Sequence, residues 1–287
     1  MDTLNDLKYT LTEKDRNELK YTSIVTIILA GVIYLNAFEN NTYTCKNILV
    51  NTYLYILISL LLFHIITMLL INNDLHIRFF TIIHKFNYFM RVVIFIAIIA
   101  ILFGLFYAFD MNSTNILVSH FILLILISFF SLFISLQYAK LKKRNLYNKV
   151  FYTTLLFICV LLLLFYFNQD LIKQYLSKEY YYIVLILFFV VLLVELVYIL
   201  LIGYNKTITV LISAIVLIIF GYFLLADTQR ILDISEENCN LSLKNCNANI
   251  NCDIDNYPNY PQKSFNIFNN IIVIFQQIAE IFLANSD

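Results

Sequence analysis

Eight apolar runs alternate with polar stretches along the chain, at 22–38, 49–71, 92–109, 116–137, 150–168, 181–203, 208–226 and 264–284. Each is a continuous run of about 20 residues, the length a helix needs to cross a bilayer. A barrel strand would show alternation over about ten residues instead. Only helices and closed barrels satisfy their own backbone groups in lipid. The pattern therefore predicts an all-α polytopic membrane protein, a bundle of seven or eight transmembrane helices. The first run is short and contains Asn36, and the last is polar along one side. Four parts result: a polar cytosolic tail at 1–21, without a signal-peptide pattern; a helical bundle over 22–226; a polar, cysteine-containing loop over 227–263; and a half-polar membrane helix over 264–284.

Lysine and arginine set the orientation. With eight crossings, one side collects the tail and the second, fourth and sixth loops, thirteen basic residues against six on the other side. That places both termini in the cytosol. Leaving out 150–168 makes the division seventeen to two, and leaving out 181–203 makes it fifteen to four. Dropping a span merges loops, so part of that gain is arithmetic. Hydropathy alone favours eight.

Composition narrows the function classes. The chain of 287 residues is 61% hydrophobic and 13% charged, with no net charge. Soluble domains run at about 45–50% apolar and about 25% charged. A soluble globule, a disordered chain and a nucleic-acid binder with a basic face are excluded, and the lipid bilayer is the first partner. No HExxH, GxSxG or phosphate-loop motif is present, so an enzyme is not expected and no cofactor is called for.

Of five cysteines, Cys159 lies inside an apolar run and reads as packing. Cys45, Cys239, Cys246 and Cys252 all face the lumen or exterior in the eight-crossing arrangement. Two disulfides are expected there, with free thiols as the alternative, and three pairings stay open. The C-x6-C-x5-C spacing fits no zinc pattern, and no histidine shares that loop. N-x-S/T triplets begin at Asn40, Asn112, Asn205 and Asn240. The first, second and last are exterior with eight crossings and are candidate N-glycosylation sites. Asn240 discriminates best, being cytosolic with seven.

An ionisable group inside a span costs about 2.5–3.5 kcal/mol on insertion scales and so needs a reason. Glu195 is either a proton or cation site or a carboxyl bonded to a neighbouring helix. His64 and His120 read as packing and interfacial residues. Ser128, Ser131 and Ser135 form a small polar stripe typical of helix contacts in membranes. In the last helix Asn266, Asn270, Gln277 and Glu280 fall within about 80° of one another at 100° per residue. With no Lys or Arg after Lys263, a helix packed inside the bundle fits better than one lying in the interface. Asp227 ends its apolar run, with Arg230 three residues on as an available partner.

Two stretches carry a family resemblance. One is Asp227-Thr228-Gln229 at the end of a long apolar run. The other is Tyr257-Pro258-Asn259-Tyr260-Pro261-Gln262-Lys263-Ser264-Phe265-Asn266-Ile267-Phe268-Asn269-Asn270, leading into the final half-polar helix. Together they resemble the C-terminus of the Bax-inhibitor-like (transmembrane Bax inhibitor motif) family, in the form carried by divergent members from large DNA viruses. The basic stretch from Tyr138 to Lys149 is similar to the family's central cytosolic loop. The resemblance implies seven crossings, with the Asp-Thr-Gln end on the cytosolic side. It also implies two facing aspartates that share a proton, a pH-sensitive latch on a calcium leak. The first maps onto Asp227. The second maps onto Asn270, which cannot ionise, so the coupled titration of two carboxylates is lost at this pair. Glu280 lies two to three turns further along the same face.

Two functions from different classes result. One is a calcium-leak protein of intracellular stores that suppresses cell death, with Asp227, Asn270, Glu195 and Glu280 as candidates for the ion path or pH sensing, and calcium ions and other membrane proteins as partners. The alternative is a structural or interaction protein of a virion or organelle envelope without transport. The scarcity of glycine and proline (four and two) favours the second, because transporters usually break helices near their sites. Residence is expected in an endomembrane of ER or Golgi type, or in a host or virion membrane.

Overall fold

The computed structural model describes residues 9–39, 42–111, 114–168, 172–201, 205–248, 253 and 255–286. Among these residues every apolar run is a helix. In chain order the elements are α1 (Glu13–Ala37), a hairpin of β1 (Phe38–Glu39) and β2 (Thr42–Tyr43), α2 (Ile48–Asn72), α3 (Leu75–Lys85), α4 (Tyr88–Met111), α5 (Ile116–Lys143), α6 (Tyr147–Phe167), α7 (Lys178–Leu201), α8 (Lys206–Leu232), α9 (Glu236–Asn247) and α10 (Tyr260–Asn285). Six of them, α1, α2, α5, α6, α8 and α10, are long and apolar enough to cross a membrane by length and composition among the described residues. The helices α4 and α7, 24 residues each, occupy the other two runs. The protein is an all-α multi-pass integral membrane protein.

Helix ends depart from the apolar runs where polar residues continue a helix out of lipid. The tail is helical from Glu13, because Thr12 and Asp15 form a reciprocal capping box. The Asp227-Thr228-Gln229 stretch lies inside α8 rather than in a loop, and the loop beyond it folds its own helix, α9, capped by Ser235. The turn from α5 to α6 is closed by Asn145 at φ 56°, with Leu146 N bonded to Leu141 O and Asn145 N to Lys142 O. That is the left-handed cap pattern in which asparagine substitutes for glycine.

The chain divides into two compact units, Met1–Lys140 with Ile234–Phe265, and Leu141–Asp233 with Asn266–Asp287. In the first, α1 runs antiparallel to α2: Asn51 Nδ2 donates to the Asn36 carbonyl at 3.2 Å, and His64 Nε2 lies 3.4 Å from Glu18 Oε1. Ser131 donates to the Phe63 carbonyl of α2 at 3.3 Å and Ser135 is also buried, while Ser128 faces out. The serine stripe thus serves helix contact. In the second unit, Gly221 of α8 lets α6 come close. A Cβ there would lie 3.2 Å from Leu161 Cδ1. Arg144 caps the last turn of α10, donating to Ser286 Oγ at 2.7 Å, in a helix with no basic residue of its own there. Half of the most apolar stretch of α10 is buried, the largest share among the six candidate spans.

Candidate functional site

Asp227 sits in the last turns of α8 with its side chain 9% exposed. Asn270 of α10 donates from Nδ2 to Asp227 Oδ2 at 2.8 Å, and Arg230 donates from Nη1 to Oδ1 at 3.3 Å. Arg230, one turn on, is itself seated over the Tyr181 ring of α7, its guanidinium carbon 4.2 Å from the centroid. Both carboxylate oxygens therefore have donors, and the charge has a cationic partner. A buried charge in a span persists only with such partners. Both sequence expectations for Asp227 meet in one place: the helix-end partner Arg230 and the facing Asn270.

A second polar contact joins the same two helices at another depth. Ser213 of α8 donates to Glu280 Oε2 of α10 at 3.1 Å, and Gln276 also bonds Glu280. Asn270 and Glu280 are ten residues apart and Asp227 and Ser213 fourteen, so the two levels are separated by about 15–21 Å of helix. The order of the pairs makes α8 and α10 antiparallel along a two-level polar seam. Glu195 of α7 is half-buried and within electrostatic reach of Glu280. Glu280 thus belongs with Ser213 and Glu195, about 15 Å along α10 from the Asn270–Asp227 contact. The Tyr181 seat and the Ser213 hydroxyl were not singled out from the sequence. Ser213 carried a usable signal, a hydroxyl in an otherwise apolar run. Tyr181 carried none.

The cysteine-bearing end of the first unit is built differently. Cys45 is disulfide-bonded to Cys239, one of the three open pairings, and Cys246 is also disulfide-bonded. Cys252, Asn40 and Asn112 lie outside the described residues. Cys159 is a free, exposed thiol, and Asn240 is exposed on α9. Beside the disulfide, Tyr260 donates to the Thr44 carbonyl and accepts from Asn51 Nδ2 at 3.3 Å. Its ring stacks on Tyr55 with centroids 5.7 Å apart and meets Tyr43 edge-on at 5.6 Å. Burial pushes the Tyr43 phenol up, far from ionisation. Asn259 caps α10, accepting from Gln262 N at 3.1 Å. His120 donates from Nδ1 to the Ile116 carbonyl and accepts from Tyr55 at Nε2. The Tyr-Pro-Asn-Tyr-Pro stretch is therefore the start and anchor of the last helix. Among the described residues, no group of three or more His, Cys, Asp and Glu side chains is placed to hold a metal ion.

A multi-pass helical protein whose half-polar last helix meets a buried aspartate on the penultimate long helix defines the class. Residues 45–287 match the family described as Inhibitor of apoptosis-promoting Bax1. The match covers most of the chain, which belongs to this Bax inhibitor family. Among the described residues it contains seven of the eight long helices, α2, α4 to α8 and α10, and leaves α1 before it. No curated protein and no solved structure matches the chain.

Proposed function

We propose that the protein is a non-enzymatic calcium leak of intracellular stores that dampens cell death, with the α8–α10 seam as its gated path. The observation that supports this most is the buried Asp227 held by Asn270 across two helices, 2.8 Å apart. A carboxylate and an amide offer oxygen ligands of the kind calcium takes. One such carboxylate makes a weak site, as a leak requires. In the present state Arg230 and Asn270 occupy both Asp227 oxygens, which is a closed latch. Glu280, Ser213 and Glu195 form the second polar level through which an ion or proton would pass. Residence in an endomembrane and association with other membrane proteins belong to the same reading.

The test is luminal store calcium in cells expressing the wild type or Asp227→Asn at matched levels. The leak reading expects lower calcium with the wild type and restoration by the variant. Equal calcium in both, matching empty cells, overturns it. A second reading, a structural membrane protein, is favoured by the completeness of the Asp227 network, in which Arg230 already neutralises the carboxylate.

A further inference from the structure

We infer that the chain crosses the membrane eight times, α1 included, so that the Asp227 end of α8 faces the oxidising compartment. A disulfide requires both sulfurs in one compartment, and Cys45 is joined to Cys239. Between them lie six long apolar helices, α2, α4, α5, α6, α7 and α8. The other helix in that interval, α3, has 11 residues, a length of about 16 Å, too short to cross. Six crossings return the chain to its starting side. Omitting α6 or α7 alone leaves five and separates the two cysteines, so neither seven-crossing arrangement obtained by dropping one of them is compatible with the disulfide.

The compartment follows from redox chemistry, since disulfides persist outside the cytosol and are rare within it. Charge agrees independently. The side opposite the disulfide carries thirteen Lys and Arg against six, the excess that marks a cytosolic face. That count depends on α1 crossing, and its antiparallel pairing with α2 supports it. The Asn36–Asn51 and Glu18–His64 contacts place α1 beside α2 over thirteen residues of the latter, about 20 Å of bilayer depth. Asp227 is twelve residues before Cys239 with no crossing between them, so it opens to the disulfide side. Sidedness is independent of whether ions pass, and labelling reads it without reading calcium flux.

The test is thiol accessibility in cells whose plasma membrane alone is opened, so that a membrane-impermeant maleimide enters only the cytosol. In Cys45→Ser with Cys159→Ser, the Cys239 thiol released by loss of its partner is expected to stay unlabelled until the internal membranes are opened or, for chains at the cell surface, to label from outside. In Lys149→Cys with Cys159→Ser, at the start of α6, the introduced thiol is expected to label from the cytosol. The unmodified chain gives a check free of folding artefacts. An impermeant phosphine added from the cytosol should leave the Cys45–Cys239 bond intact on a non-reducing gel, and full permeabilisation should allow its reduction. Cytosolic labelling of Cys239, cytosolic reduction of the wild-type disulfide, or a wild-type chain with no such disulfide would overturn the inference.

Discussion

The aromatic cluster around Tyr260 and the carboxylate seam at Asp227 are both buried, polar and attached to the last helix, but they are held by different chemistry. Around Tyr260 the groups are neutral, the acceptors are largely backbone carbonyls, and a disulfide locks the neighbouring loop to α9. Around Asp227 every contact is made by side chains, one of them charged, and each can be broken without breaking a covalent bond. Neutral groups bonded to backbone have one good arrangement and stabilise it. A carboxylate shared between an amide and a half-exposed guanidinium is held by contacts that side-chain rotation alone can break. The first region is an anchor, and the second is the latch of the proposed leak.

Substitutions should separate the two. The largest loss of stability is expected for Cys45→Ser, because a native disulfide closing a long loop contributes about 3–5 kcal/mol. Thermal denaturation in detergent measures it, and an unchanged midpoint would remove the anchor role. Next is Arg230→Met, which leaves the Asp227 carboxylate without its cation. Stripping one partner from a fully buried pair costs about 3–5 kcal/mol. Arg230 is 48% exposed, so about 1–3 kcal/mol is expected here after solvent screening is allowed for. If the latch reading holds, the same variant passes more calcium than the wild type. Tyr260→Phe should cost about 1 kcal/mol, the net value of a neutral hydrogen bond, with no change in flux. Asn270→Asp restores a second carboxyl at contact distance. Two carboxyls that close titrate as a pair, so flux should vary more steeply with pH than in the wild type, and a flat comparison would show the seam is not on the path. The smallest effect is Asn240→Gln. With α9 on the luminal side, the variant should lose one glycan step in gel mobility and keep the wild-type melting temperature.

The apolar runs made the helices legible because burial in lipid needs about 20 consecutive apolar residues, and among the described residues each of the eight runs is occupied by a helix. Helix ends were less legible. Thr228 returns its hydroxyl to the Leu224 carbonyl and Gln229 reaches Asp233, carrying α8 to Leu232 through residues that hydropathy assigns to a loop. The short amphipathic helices α3 and α9 were hidden for the same reason. The pairing of Cys45 with Cys239 depends on contacts 194 residues apart in sequence, which spacing cannot encode. At the site, Arg230 was visible as an i+3 neighbour of Asp227 and Asn270 through the family resemblance. The Tyr181 seat beneath Arg230 was not visible, since a tyrosine near the start of an apolar run has no feature that sets it apart from the chain's other twenty.

The most direct test of the central claim uses the purified full-length chain in sealed phosphatidylcholine vesicles loaded with calcium. Efflux should be measurable with the wild type, raised by Arg230→Met and reduced to the rate of empty vesicles by Asp227→Asn. Efflux from wild-type vesicles no faster than from protein-free ones, or unaffected by Asp227→Asn, would contradict an ion path through the Asp227–Asn270 seam.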